Sequence, residues 1–440
     1  MNTGVPWTAS PRAAPARAPV RPARDRTRAV DDLLCALLAV YLTTLLLEGV
    51  LRYVLAAAGV PNLLYLRDSI PVGSVLFLFL RSLLRDRRID LVIAIPSALL
   101  ACHAVYSAMV GVAIFAIAFG LKIYLFVIYG MAMWPLLRRR LAPMLAMGTA
   151  MFAITAAGVF ANFLWGTMPW EGLEYETAFG MSSTTRTWWM AHGIARLPGF
   201  TRTSFNAAVI LGITGLLTML RYGHPLARLA IFATATTAIV LTTSKGMVLA
   251  FPLAALWLVV QDRRPAMDGH VLVGALCAAT VVLPLVVVFW DIGSAMKASD
   301  FPVLIVSVWE RFTSMWPLAF QLLPDGPQSW LGAGLGSIGT PLAFGNTPHQ
   351  ANSADNVAIY MMVSFGVAGL VYCAFPALSV RKVAACEPVA LHRMYVAVLV
   401  IAYVYGVSTN MIEESFFSFF FGLCFGAAAS AWLGEKERTP

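Results

Sequence analysis

Long apolar runs separated by short polar breaks organise this chain. Runs near the ~20 residues needed to cross a bilayer's hydrocarbon fall at 33–57, 69–84, 89–109, 111–136, 141–163, 203–220, 226–242, 246–260, 270–290, 355–378, 391–408 and 413–433. The pattern predicts an all-α polytopic membrane protein with about twelve transmembrane helices. Two long polar stretches, 164–202 and 291–354, interrupt the rhythm. The second is far longer than an ordinary connection, and its tryptophans and phenylalanines argue against disorder. From Val303 to Leu323 it carries a helical pattern suited to an amphipathic helix lying on the membrane surface. A glycine-rich turn, GAGLGSIGTP, follows, whose backbone can approach a ligand closely. His349 and then Asp355-Asn356 precede the next apolar run.

The expected organisation is a disordered basic tail (1–29), helices one to nine with loop 164–202 (30–290), the large loop (291–354), helices ten to twelve (355–433) and a short tail (434–440). No internal repeat is evident, which disfavours inverted-repeat transporters.

Composition agrees: 59% of residues are hydrophobic, 12% are charged, and mean hydropathy is +0.76. The net charge of +9 does not point to nucleic acid, because the cations sit in short loops between spans. Of the 31 Lys and Arg residues, 22 fall on the side of the two tails and seven on the other. That bias predicts cytoplasmic termini and outward-facing large loops. The six cysteines lie in spans or in one basic loop, so no disulfide framework is expected. The first span can direct insertion itself, without a cleavable signal.

Several charges fall in or beside spans: Glu48, Arg52, His103, Lys122, Lys245, Glu413 and Glu414. Such charges are costly and normally pair or face a wet cavity. Glu48 and Arg52 have the spacing of an i,i+4 pair. Lys122 either snorkels or pairs with Glu48, and His103 reads as a hydrogen-bonded packing residue. Together they imply a polar cavity open to the outside. Arg196, Arg202, Lys245 and Arg311 on that face suit a phosphate-bearing lipid, since guanidinium groups grip phosphate oxygens in pairs. Metal binding has little support; Glu171, Glu174 and Glu176 read as a solvated loop face. No cofactor is expected.

Four stretches carry a resemblance: Arg196-Leu-Pro-Gly-Phe-Thr-Arg202, Thr243-Ser-Lys-Gly246, Glu310-Arg-Phe-Thr-Ser-Met-Trp316 with LGAGLGSIG, and Asp355-Asn356 with Gly366 and Gly369. In order and spacing they resemble the O-antigen ligase and Wzy-type polymerase superfamily of bacterial envelope glycan enzymes, with Lys245 in place of an Arg and Asp355 in place of a His. The resemblance covers roughly residues 190–376. It implies a GT-C-type, metal-independent, inverting glycosyltransferase whose donor and acceptor are undecaprenyl-diphosphate-linked oligosaccharides in the bilayer, with a chain-length regulator as a candidate partner protein. Arg311 and Lys245 would clamp the diphosphate, helped by Arg196 or Arg202. Asp355 or His349 would take the acceptor proton; equally, Asp355 caps the next helix and His349 is an ordinary loop histidine. The expected activity is polymerisation of lipid-linked repeats. Ligation onto lipid A core is the alternative, and a lipid-linked-glycan flippase is a third.

Overall fold

The computed structural model describes residues 23–434 apart from 86, 88, 173, 177–181, 185–189, 192–193, 265–266, 298–305 and 346–353. Helices form where the apolar runs require internally satisfied backbone. They are α1 (Ala23–Leu46), α2 (Glu48–Ala57), α3 (Ser69–Arg85), α4 (Leu91–Met109), α5 (Ile114–Arg139), α6 (Leu141–Trp165), α7 (Ser204–Arg221), α8 (Pro225–Leu241), α9 (Lys245–Arg263) and α10 (His270–Phe289). The large loop contributes α11 (Val306–Glu310), a π-helical turn (Arg311–Met315) and α12 (Trp316–Phe320), which run on as one helix. After it come α13 (Val357–Phe365), α14 (Val367–Leu378), α15 (Val380–Cys386), α16 (Val389–Gly406) and α17 (Ser415–Leu433). Two small antiparallel hairpins lie between α6 and α7: β1 (Glu174–Glu176) with β2 (Ser182–Thr184), and β3 (Met190–Ala191) with β4 (Ile194–Ala195).

Among the described residues, ten helices are long and apolar enough to cross a membrane, and the pair α14–α15, bent by 41°, makes an eleventh. The chain is thus an all-α polytopic membrane protein, with ten or eleven full-length spans and α8 as a 17-residue apolar helix beside them. Three predicted spans differ in detail. The first breaks at Leu47 into α1 and α2. The second is longer than its hydropathy suggests, because a 3-10 turn at Pro61–Asp68 runs into α3 and takes up the predicted loop. The tenth breaks at Gly366, which adopts φ +64 between α13 and α14. There α14 packs back onto α13, so that a Cβ on Gly369 would lie 2.0 Å from the Met361 carbonyl oxygen.

α16 and α17 are the most enclosed spans, each with 78% of its window buried, while α3 and α4, at 17%, form the rim. α17 lies directly on α5. A Cβ on Gly130 would come within 2.1 Å of the Phe419 carbonyl oxygen, and one on Gly422 equally near that of Val127. Small residues give helices this close approach in lipid, where packing replaces the hydrophobic effect as the driving force.

Both ends of the described chain meet at one end of the bundle. Arg139 pairs with Asp31 at 3.0 Å, Arg138 with Glu387 at 3.1 Å and Arg381 with Asp268 at 3.5 Å, and the Lys382 ammonium sits 3.7 Å from the centre of the Trp432 ring. The loop 306–345 lies at the opposite end, the loop face.

The charges inside the first spans pair with one another rather than lining a cavity. Glu48 binds Arg52 at 2.6 Å, as its spacing predicted, and Arg67 at 3.1 Å. Arg67 reaches Asp68 at 3.5 Å, and Asp68 holds Lys122 at 2.6 Å, so Lys122 pairs with Asp68 and not with Glu48. Arg67 is the hinge of this chain. It contributes charge more than aligned hydrogen bonds, since its Nε and Nη1 make none. Removing one partner from a buried network strands the others, at a cost of about 3–5 kcal/mol. Arg67→Ala should therefore lower the melting temperature of the purified protein in detergent by several degrees. An unchanged melting curve would show that the network carries no stability.

Candidate functional site

The large loop reaches the bundle through its helix. Trp316 is 1% exposed and stacks near Phe312, with ring centroids 5.0 Å apart. The Phe312 backbone rests against Gly293, where a Cβ would approach its carbonyl oxygen to 2.4 Å. This packing fixes Arg311, the first residue of the π-helical turn. Its Nη1 donates to the Ser307 carbonyl at 2.8 Å and its Nη2 to Asp355 Oδ2 at 2.9 Å. Its Nε is buried without a hydrogen-bond partner. A guanidinium has five N–H donors, and a buried unused one is costly. Arg311 therefore has capacity for a further acceptor.

Asp355 stands at φ +41 immediately before α13. It is not the cap. Asn356 occupies that place, accepting from the Ile359 N–H at 2.9 Å while its amide donates to the carbonyls of Thr280 and Val407 at 3.2 and 3.1 Å. The capping role weighed for Asp355 thus falls to its neighbour, and the Asp355 carboxylate turns to Arg311. Thr280 lies nine residues before the loop-face end of α10, about 13 Å along the helix. Asn356 is consequently set below that end, while Arg311 reaches Asp355 from the loop helix packed at Gly293.

Lys245 is the first residue of α9, after Thr243 at φ +57 and Ser244, whose hydroxyl hydrogen-bonds the Tyr405 phenol. The Ser244 hydroxyl is thus committed to Tyr405. Gly246 packs on that ring so tightly that a Cβ would lie 2.4 Å from it, which locks the start of α9 to α16. Lys245 itself is exposed and lies within electrostatic reach of Arg196, Arg311 and Glu310. Arg196 is held there by the turn 196–201, which bonds to the end of α8 through the Leu197 N–H and to Asn162 through the Gly199 N–H. Three of the four predicted cations, Arg311, Lys245 and Arg196, therefore lie within electrostatic reach of one another near the starts of α9 and α13, and Arg311 bonds Asp355. Arg202 lies within electrostatic reach of Glu414 and Glu48. His349 lies outside the described residues.

The glycine-rich segment does not present its backbone to a ligand. It threads between the bundle's own helices. The Ala333 N–H donates to the Val363 carbonyl at 2.8 Å, the Leu335 N–H to Ser107 Oγ at 2.7 Å, and the Gly332 carbonyl accepts from the Tyr106 hydroxyl. Gly336, at φ +85, sits where a Cβ would be 2.4 Å from the Ala116 carbonyl oxygen. These glycines serve close packing. His103 has the packing role its sequence context indicated, with Nε2 bonded to the Ser364 carbonyl at 2.7 Å.

Tyr405 and Thr340 were not singled out by sequence reasoning, and as ordinary span and loop residues they gave no signal. Glu413 accepts from the Thr340 N–H at 2.9 Å and from its hydroxyl, tying the end of the glycine-rich segment to the turn before α17. Next to it, burial raises the Glu414 carboxyl to about 8, against the pull of Arg202 and Arg67 and with the help of Glu48 and Glu413. A raised carboxyl binds its proton more tightly in the folded state than in the unfolded one. Stability then falls as pH rises from the ordinary carboxylate range through about 8, and levels off above. Melting temperatures measured from pH 5 to 9 should show this decline, and Glu414→Gln should flatten part of it. An identical slope in the variant would remove Glu414 as its source.

Among known proteins, no family model matches the chain and no curated protein matches it.

Proposed function

We propose that the protein is an inverting, metal-independent glycosyltransferase that polymerises undecaprenyl-diphosphate-linked oligosaccharide repeats at the periplasmic face of the bacterial inner membrane, with both termini in the cytoplasm. The observation that carries this reading is the grouping of Arg311, Lys245 and Arg196 within electrostatic reach of one another, with Arg311 bonded to Asp355, near the starts of α9 and α13. Glycosyl transfer from a lipid diphosphate needs little acid, because the leaving group departs already charged. It needs preorganised cations where negative charge accumulates. The acceptor hydroxyl attacks the anomeric carbon, the bond to the diphosphate oxygen breaks with its electron pair, and Asp355 takes the hydroxyl proton.

The ion pair between Arg311 and Asp355 gives this chemistry an order. With no donor present, clamp and base neutralise each other at 2.9 Å. A diphosphate competes for the guanidinium and frees the carboxylate for the acceptor. The test is reconstitution of purified protein with undecaprenyl-diphosphate repeat units, with and without lipid A core. A ladder of lengthening lipid-linked glycan without the core supports the polymerase. Transfer only in the presence of core gives the ligase, and net movement of lipid-linked glycan between leaflets without transfer gives a flippase.

A further inference from the structure

A cavity of about 630 Å³ lies between α4, α5, α14 and α17, with Met361 and Phe365 of α13 in its lining. It has the size of an ordinary ligand pocket. Three of its polar side chains are already engaged. His103 bonds to Ser364, the Tyr106 hydroxyl to Gly332 and the Tyr124 hydroxyl to the Met361 sulfur. Apart from the Tyr372 hydroxyl and the Cys102 thiol what remains is carbon, and among the described residues no Lys or Arg lines it. The groove opens sideways into hydrocarbon past Ile95, Leu99 and Val371, which are 48%, 50% and 59% exposed.

Its length identifies the occupant. The wall on α4 runs from Leu91 to Tyr106, about 22 Å of helix. The opposing wall on α17 continues to Trp432 at the basic face. A single leaflet of a ~30 Å hydrocarbon core is about 15 Å deep, so one phospholipid tail from either side fills only part of the groove. A chain that crosses the midplane fills it.

We propose that this groove holds the polyprenyl chain of the acceptor, a lipid-linked glycan, an inference that rests on the glycosyl-transfer reading. The donor's lipid diphosphate is attached to the reacting anomeric carbon, so its chain must begin at the cations. The acceptor's reacting hydroxyl is separated from its own lipid by the glycan between them. Phe365, which lines the groove, is ten residues from Asp355 along α13, about 15 Å. A mostly apolar groove at that remove, with no cation among the described residues of its wall, suits the acceptor's lipid and not the donor's.

The test uses the full chain in nanodiscs with undecaprenyl diphosphate carrying a diazirine near its distal end. Crosslinks should map to α4 and α14, should be displaced by unlabelled undecaprenyl phosphate, and should survive Arg311→Ala. The lipid-facing double variant Leu99→Trp, Val371→Trp should label at least about tenfold less while remaining monodisperse. A diazirine phosphatidylethanolamine is the control. If it labels the groove as strongly and is not displaced by the polyprenyl lipid, the groove is a phospholipid site and the inference falls. If the protein transfers glycan yet the probe crosslinks only beside Lys245 and Arg311, the inference falls and the glycosyl-transfer reading stands. If neither transfer nor polyprenyl labelling occurs anywhere on the protein, the reading falls first and takes the inference with it.

Discussion

Arg311→Ala should reduce polymer formation by at least about 10²–10³-fold, the loss seen when one preorganised donor to developing charge is removed. The protein should remain in the membrane at its usual level, because the helix that carries Arg311 is anchored by Trp316 and Gly293 and not by the guanidinium. Arg311→Lys should be nearly as poor. A lysine has no planar fork, so it cannot keep a bond to Ser307 while turning a second donor toward a phosphate. Lys245→Arg should be tolerated, since Lys245 is exposed at the start of α9 with room for a larger cation. Donor binding, measured with a labelled undecaprenyl-diphosphate oligosaccharide, should weaken in parallel with turnover. Normal polymer from Arg311→Ala would take that residue out of the mechanism and leave its bond to Asp355 as a structural tie.

Those residues were visible in the sequence for one reason and connected in the structure for another. A cation in an aromatic loop beside a membrane is conspicuous, and so is an aspartate before an apolar run. That Arg311 and Asp355 touch across 44 residues depends on where the loop helix docks, and hydropathy carries no such information. Capping chemistry pointed to the right turn but the wrong residue: an Asp-Asn pair offers two good caps, and Asn356 wins because its amide can also satisfy Thr280 and Val407. The broken tenth span was hidden because α13 and α14 are equally apolar, and only the positive φ at Gly366 separates them. The glycine-rich segment misled for a related reason. Glycine permits close approach, and the sequence does not say whether the approaching partner is a ligand or another helix. Snorkelling and pairing with Glu48 both miss the partner of Lys122, because hydropathy puts Asp68 in a loop, where the chain in fact continues as 3-10 helix into α3.

Asp355→Asn should lower turnover by about 10²–10⁴-fold, the usual weight of a general base. It should leave donor binding unchanged or tighter. The substitution keeps size and shape, and asparagine tolerates the left-handed conformation that Asp355 adopts at φ +41. Only the charge is lost, and with it the carboxylate that occupies Arg311 at 2.9 Å. An arginine released from that pair meets the diphosphate without competition. The two single variants should therefore separate, with Arg311→Ala failing to hold the donor and Asp355→Asn holding it without reacting. Because the residues are in contact, their effects should not add, and the double variant should lose far less than the product of the two. His349→Ala should cost less than Asp355→Asn. The decisive comparison is donor affinity in Asp355→Asn. If affinity falls as far as turnover does, the carboxylate serves to position Arg311 and the proton leaves by another route.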